Sequence, residues 1–212
     1  MPTDLTNLVG AGGQSAVVID ALLATGMKPD VIQVWTQDKA ATGSTLLGLE
    51  IRHLVSPELL SGRAVHICIG DNAARQRVSR NLVAVGATLR TIAHPRATIS
   101  AHAVIGPGSF LAAGSIVTAR TRIGVGAIIN HNAVVDHDCI LGDFVHVAPG
   151  ATLGGAVKLA DLVLIGAGVN ILPARKIGLG AVVGAGAVVT SDITAGSTYA
   201  GVPAAPLGKR RE

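Results

Sequence analysis

Cut every six residues, positions 123–158 read IGVGAI INHNAV VDHDCI LGDFVH VAPGAT LGGAVK, and every block opens on Ile, Val or Leu. The phase extends in both directions. Ile99, Ile105, Leu111, Val117, Ile123, Ile129, Val135, Leu141, Val147, Leu153, Leu159, Ile165, Ile171, Ile177, Val183 and Val189 are sixteen matches without a miss. Four residues after the first seven of these stands a small side chain: Ala103, Ser109, Ser115, Thr121, Ala127, Ala133 and Cys139. Glycine often follows the aliphatic directly, as at Gly106, Gly124, Gly142, Gly154, Gly166, Gly178 and Gly184. A short fixed period marks a solenoid, in which each repeat buries its apolar side against the next. Each block makes one short strand and a tight corner, and three blocks close a triangular coil of about 18 residues. The repeated aliphatic points inward, the small residue fits the corner, and glycine supplies permissive backbone there.

This architecture explains an unusual composition. The chain has 212 residues, 27 of them glycine, with 49% hydrophobic and only 14% charged residues. Its only aromatics are Trp35, Phe110, Phe144 and Tyr199, so the core is built from Val, Ile, Leu and Ala and must be narrow. High apolar content excludes disorder, and glycine without a period of three excludes collagen. Cys68 and Cys139 stand far apart in no CxxC, which excludes a disulfide scaffold and suits a reducing, cytoplasmic setting. The uncharged run Ile177–Ser191 falls short of the roughly 20 residues that a membrane helix needs, so no membrane span is expected. The start MPTDLTNLVGAGG has an acid and glycines where a signal peptide needs basic and apolar regions. Residues 1–90 carry eight basic and seven acidic side chains, and 91–212 carry nine and six, three of the nine being Lys209, Arg210 and Arg211. The body is nearly neutral and lacks aromatics for base stacking, so no nucleic acid is expected as a partner.

Residues 1–90 have a different rhythm. Leu8-Val9 ends an apolar run that enters Gly10-Ala11-Gly12-Gly13, and Ser15–Thr25 is helix-compatible, closed by Gly26 and Pro29. Val31–Trp35, Leu49–Ile51 and Val65–Ile69 read as extended segments, and Asn72–Val83 as a helix with Arg75, Arg77 and Arg80 on its polar side. Strands alternating with helices imply a small α/β unit with a parallel sheet. Gly12-Gly13-Gln14, between a strand and a helix, is a good place for a phosphate. It is not a dinucleotide fingerprint, because Ser15 stands where that motif closes on glycine.

Polar residues off the inward phase are the informative ones in the solenoid. Asn130-His131-Asn132-Ala133-Val134-Val135-Asp136-His137-Asp138-Cys139 gathers two histidines, two asparagines and two acids. His137 stands two places after an inward aliphatic and should face outward, with Asp138 beside it to orient the ring or raise its basicity. Cys139 occupies an inward small position and reads as core, not nucleophile. His131 reads as structural, His94 and His102 as caps of the solenoid, and His53 and His66 have no motif around them. A zinc site from His131 and His137 has no ligand spacing behind it, so no metal is expected.

The whole order resembles one family. Gly10-Ala11-Gly12-Gly13-Gln14, Ile69-Gly70-Asp71-Asn72, the prism with Val135–Cys139, and Gly201-Val202-Pro203-Ala204 together are similar to the hexapeptide-repeat sugar acetyltransferases, typified by bacillosamine- and perosamine-pathway N-acetyltransferases and sialic acid O-acetyltransferase relatives. The resemblance implies a small N-terminal Rossmann-like α/β domain (1–90) that binds a nucleotide-linked sugar. It implies a left-handed parallel β-helix (91–195) and a C-terminal extension (196–212). The left hand comes from the resemblance alone, since the general crossover rule would give the opposite hand.

The family further implies acetyl transfer from the cosubstrate acetyl-CoA to an amino group of a nucleotide-linked 4-amino-sugar, in a homotrimer with sites between neighbouring prisms. His137 matches its general base and Asp138 the acid that raises its basicity. Gly12, Gly13, Gln14, Gly70 and Asn130 match substrate-binding positions; His146, Gly155, Ala167, Gly184 and Ala185 match acetyl-CoA-binding positions. Gly155, three blocks after His137 and so one coil above it, would offer its N–H to the acetyl carbonyl as charge develops. The Gly201-Val202-Pro203 turn would pack near the pantetheine arm. Two departures stand out: Gln14 replaces a frequent histidine, and Thr36-Gln37, with Asp38 next, replaces two acids that read uracil and ribose. That leaves open a nucleotide other than UDP or a degenerate pocket. O-acetylation of a sialic acid or related sugar, and a non-catalytic solenoid binding subunit, are the alternative functions.

Overall fold

A computed structural model describes residues 5–208, so the tail Lys209–Arg211 lies outside the described residues. The α/β unit has a sheet of six strands: β1 (Thr6–Val9), β2 (Ile32–Thr36), β3 (Thr45–Leu46), β4 (Leu49–His53), β5 (Ala64–Ile67) and β6 (Thr88–Leu89). Their order is β3-β4-β2-β1-β5-β6, all parallel except the β3–β4 pair. Helices α1 (Gly13–Ala24) and α2 (Asn72–Ala84) follow β1 and β5. The expected helices and strands are present, shifted by a few residues; the strand expected at Val65–Ile69 ends at Ile67. β1 is wholly buried at the centre, and Asn7 on it is satisfied by donating to the Ala64 carbonyl (3.1 Å) and accepting from the Trp35 indole (3.1 Å). The chain leaves β1 toward β2 on one side and β5 on the other, which opens a crevice at their carboxyl ends.

All sixteen repeated aliphatics are the second residue of a two-residue strand, from Thr98–Ile99 to Val188–Val189. Each strand pairs in parallel with the one three blocks further along the chain, as Phe110 with Ile128 and Val134 with Thr152. Three faces result. The first runs Ile92–Ala93, Phe110–Leu111, Ile128–Ile129, His146–Val147, Leu164–Ile165 and Val182–Val183, and is closed by Thr198–Ala200 and Ala205–Pro206. The second has six strands, Thr98–Ile99 to Val188–Val189; the third has five, Val104–Ile105 to Lys176–Ile177. The inward aliphatics from Leu111 onward are buried in one cluster, whereas Ile99 is 37% exposed because no coil covers it from below. The last coil is shorter than three full blocks, since Ile177 pairs with Ile193, and Val182 with Thr198.

The corner works differently from the expectation. The left-handed backbone falls three places after each aliphatic, at every sixth residue from Gly108 to Gly186, and includes Arg120, Asn132, Asp138, Phe144, Ala156, Leu162 and Ala174. The glycines directly after the aliphatics have ordinary φ. They are needed because the next coil passes too close for a side chain: a Cβ on Gly154 would sit 2.9 Å from the Pro173 ring, and one on Gly166 2.6 Å from the Ala185 nitrogen.

The α/β unit sits on the first face. Ile92, Phe110, Ala112 and Ile128 of the prism share a cluster with Leu8, Val18, Ile19 and Leu22. Of the three arginines expected on the polar side of α2, Arg77 and Arg80 are exposed, and Arg75 is the exception. It is 1% exposed. Its guanidinium donates to the Gly126 (2.7 Å), Ile69 (2.9 Å), Gly70 (3.0 Å) and Phe144 (3.0 Å) carbonyls and to Asn72 Oδ1 (2.8 Å). Asn72 in turn donates to the Leu162 and Val163 carbonyls (3.0 and 3.1 Å). The helix thereby supplies donors for prism carbonyls that its own residues cover.

His66 is buried too, its Nδ1 on the Arg90 carbonyl (2.8 Å) and its ring edge-on to Phe110. Burial pushes its pKa from 6.5 down to about 4. The unfolded chain therefore takes up a proton near pH 6.5 that the folded chain refuses, and stability falls as pH drops from 6.5 toward 4. A shift of this size corresponds to about 3 kcal/mol. Urea unfolding of His66→Gln should show a flatter pH dependence across that window, and an unchanged slope would assign the acid sensitivity elsewhere.

Candidate active site on two corners of the prism

His137 lies on the corner between the second and third faces, two residues after buried Val135, and its side chain is 56% exposed. Three contacts fix it. Its backbone N–H donates to Asp136 Oδ1 (2.7 Å), which also accepts from the Thr118 hydroxyl (3.2 Å). Its Nδ1 lies 2.8 Å from Asp138 Oδ2. Its ring lies against Gly155 on the next coil, where a Cβ would come within 2.6 Å of Cε1 and 2.8 Å of Nε2. A carboxylate on Nδ1 selects the tautomer with its proton there, which leaves Nε2 as a lone-pair acceptor. Nε2 has no partner among the described residues.

The coil below supplies a residue that the sequence reading missed. Arg120 donates through Nε to Asp138 Oδ1 (2.6 Å) and through a terminal nitrogen to Oδ2 (2.7 Å). Arg120 and then His137 hold the Asp138 carboxyl far below the usual carboxylate range, so it is ionised. The signal was in the sequence: Arg120 precedes Asp138 by three blocks, the same spacing that links His137 to Gly155.

Gly155 stands as expected, one coil on, its carbonyl accepting from the Ala174 N–H (2.8 Å) while its own N–H has no acceptor among the described residues. Alanine there would force the imidazole aside, and misplacing a catalytic group by about 1 Å can cost 10²-fold in rate. Gly155→Ala should therefore lower kcat by about 10²-fold while the melting temperature stays near that of the parent; full activity would show that the ring position is not critical.

The other predicted residues lie elsewhere. Asn130, His131 and Asn132 turn the corner between the first and second faces, and Ala167, Gly184 and Ala185 stack above them on that corner. There the Gly186 N–H donates to the Ala167 carbonyl (2.8 Å), and Ala200, which leads into the Gly201–Pro203 turn, crowds Gly184 (2.9 Å to a Cβ). The width of the second face separates this corner from His137 within one chain, and His131 and His137 share no site. Among the described residues no three His, Cys, Asp or Glu side chains group as metal ligands.

His146 projects from the first face toward the α/β unit. Its Nε2 is 3.2 Å from the Asn130 amide, and with Gly70, Asp71 and Asn72 it lines a cleft of about 530 Å³. Burial and the nearby Arg75 charge push its pKa down to about 4, so it is a neutral hydrogen-bonding group at pH 7. Cys139 is core as expected: it is fully buried, its thiol donates to the Gly154 carbonyl (3.3 Å), and burial raises its pKa to about 11.

A smaller pocket, about 200 Å³, opens at the carboxyl ends of β1, β2 and β5. Thr36, Gln37 and Asp38 line it with Gly10, Ala74 and Arg77, and Arg77 is an addition to the sequence reading. Gly12 caps α1 without a side chain, and nothing within 4 Å would obstruct a Cβ at Gly12 or Gly13. Gln14 Nε2 is buried and has no hydrogen-bond partner among the described residues. Asp38 is partly committed, since its Oδ1 accepts from the Ala40 N–H (2.9 Å).

No family model matches the chain. Individual proteins do. A single-site variant of perosamine N-acetyltransferase from Caulobacter crescentus, solved with CoA and GDP-perosamine, superposes with a TM-score of 0.90 at 32% identity, covering 98% of this chain and 99% of that one. The acetyltransferase domain of PglB from Neisseria gonorrhoeae, solved with acetyl coenzyme A, gives 0.86 at 34% identity over 97% and 100%. A 2,3,4,5-tetrahydropyridine-2,6-dicarboxylate N-acetyltransferase from Staphylococcus aureus is 42% identical over 79 residues; the match spans 34% of this chain and only 33% of that relative. Among the described residues no helix is long and apolar enough to cross a membrane. The coiled prism, its α/β unit and the likeness over nearly the full length of the solved sugar acetyltransferases establish that this chain belongs to the hexapeptide-repeat, left-handed β-helix family of acetyl-CoA-dependent N-acetyltransferases.

Proposed function

We propose that the protein transfers the acetyl group of acetyl-CoA to the amino group of a nucleotide-linked amino-sugar, directly and with His137 as general base. The observation that carries this reading is the imidazole itself: Asp138 holds Nδ1 at 2.8 Å while Nε2 is left open beside Gly155. In the transfer the amine nitrogen attacks the thioester carbonyl, Nε2 takes the amine proton, and the tetrahedral oxyanion is met by the Gly155 N–H. The C–S bond then breaks, and the CoA sulfur leaves with the proton that His137 returns. The solved perosamine enzyme with its GDP-sugar supports an acceptor of this class.

The reading includes a homotrimer. His137 and Gly155 occupy one corner, while Asn130, Ala167, Gly184 and Ala185 occupy another, so one chain does not assemble the set. A second copy that brings its first corner against the His137 corner would complete it. The nucleotide would lie in the crevice at the ends of β1, β2 and β5, with its phosphates toward the open N–H groups of Gly12 and Gly13. Buried, unpaired thiols at Cys68 and Cys139 fit a cytoplasmic setting.

The test is CoA release by purified protein with acetyl-CoA and a panel of UDP-, GDP- and dTDP-linked amino-sugars. Turnover with at least one is expected. Turnover with a free sugar hydroxyl alone would move the assignment to O-acetylation, and acetyl-CoA binding without turnover on any acceptor would overturn catalysis.

A further inference from the structure

We propose that Arg120 is a positioning residue of this site: from the coil below it holds the Asp138 carboxylate in a two-pronged grip and so fixes the imidazole of His137. The inference rests on the proposed role of His137 as base. Arg120 and Asp138 stand at equivalent corner positions on successive coils, both with left-handed backbone (φ 61 and 60), so the coils stack one directly over the other. The two hydrogen bonds, at 2.6 and 2.7 Å, use both carboxylate oxygens. Oδ2 is shared between the guanidinium and His137 Nδ1, which makes a relay Arg120–Asp138–His137 across two coils. A single carboxylate on an exposed corner can rotate about its side-chain bonds; a planar fork removes that freedom.

The grip also sets the charge around the ring. The groups that face His137 are Asp138 and Arg120, with Asp136 bonded to its backbone. Among the described residues the coil above presents Gly155 and Ala156, and Arg175 beyond it lies 3.9 Å from Asp192. Asp138 therefore orients the base, and Arg120 in turn orients Asp138.

The experiment compares the parent, Arg120→Ala, Arg120→Lys and His137→Ala by kcat, KM for acetyl-CoA and melting temperature. Arg120→Ala should lower kcat about 10-fold, less than the roughly 10²-fold or more that outright loss of a positioned base costs, and leave KM within about twofold. Arg120→Lys, which keeps the cation but loses the fork, should restore part of kcat. Parental kcat in Arg120→Ala, or a lowered kcat that Arg120→Lys does not raise at all, with or without a lowered melting temperature, would make the pair a structural one and overturn the proposal. Full activity in His137→Ala would instead overturn the role of His137, and the inference with it.

Discussion

Replacement of His137 by alanine should lower kcat by about 10²–10⁴-fold, the span expected for loss of a positioned general base, and leave acetyl-CoA binding intact. The size follows from what the ring does and does not touch. Its side chain is 56% exposed and contacts Asp138 and Gly155, so its removal opens no cavity in the prism core. Folding, followed by melting temperature, should be nearly unchanged. The amine would then have to lose its proton to water in the transition state. Isothermal titration with acetyl-CoA and steady-state rates with the best acceptor separate the two effects. A variant that keeps kcat within about threefold, below the smallest effect expected of a general base, removes His137 from this role. A variant that loses acetyl-CoA binding makes it a binding residue. Asp138→Asn provides an internal comparison: the amide can still meet Nδ1 but leaves Arg120 without its charge partner.

Much of the prism was legible because its physics is one-dimensional. A period of six fixes which side of the strand each residue faces, and every one of the sixteen aliphatics came out on a strand. The same arithmetic put His137 outward, Cys139 inward and Gly155 one coil above the imidazole. What escaped was what period alone does not encode. Glycine after the aliphatic looked like a turn residue, yet the turn falls two positions later, where Arg120 and Asp138 adopt it, and the glycine answers crowding from the next coil. The division of the site between two corners follows from counting blocks, since Asn130 and His137 lie in successive ones; its meaning appears only when the faces close. Arg75 was illegible for another reason. Helical spacing put it among Arg77 and Arg80, and only the docking of α2 on the first face decides which arginine is enclosed.

Replacement of Arg75 by methionine should destabilise the protein by about 2–4 kcal/mol, and the sign rests on a competition between two terms. Burial disfavours the guanidinium, whose pKa falls to about 10, and methionine relieves that cost while it keeps the apolar stem. The acceptors, however, are main-chain carbonyls that no substitution removes. Those of Gly126 and Phe144 are enclosed, and those of Ile69 and Gly70 with Asn72 Oδ1 are partly so. Each buried carbonyl deprived of its donor costs about 1–3 kcal/mol, so the enclosed ones, with the weaker contact to Val145 (3.4 Å), alone match the relief and the others tip the balance. For a domain of this size that loss lowers the melting temperature by roughly 5–15 °C. The function should suffer in a specific way. Arg75 ties Gly70, on the loop before α2, to the coil that carries His146, so its loss loosens the cleft between the two units before it disturbs the His137 corner. At temperatures where the variant is fully folded, KM should rise both for the acceptor, to which Gly70 is matched, and for acetyl-CoA, to which His146 is matched. An Arg75→Met protein that melts within about 2 °C of the parent, a shift worth under about 1 kcal/mol, would mean that water replaces the lost donors. The interface would then be held by the Phe110–Ile128 apolar contact with α1 and β1 instead of by this arginine.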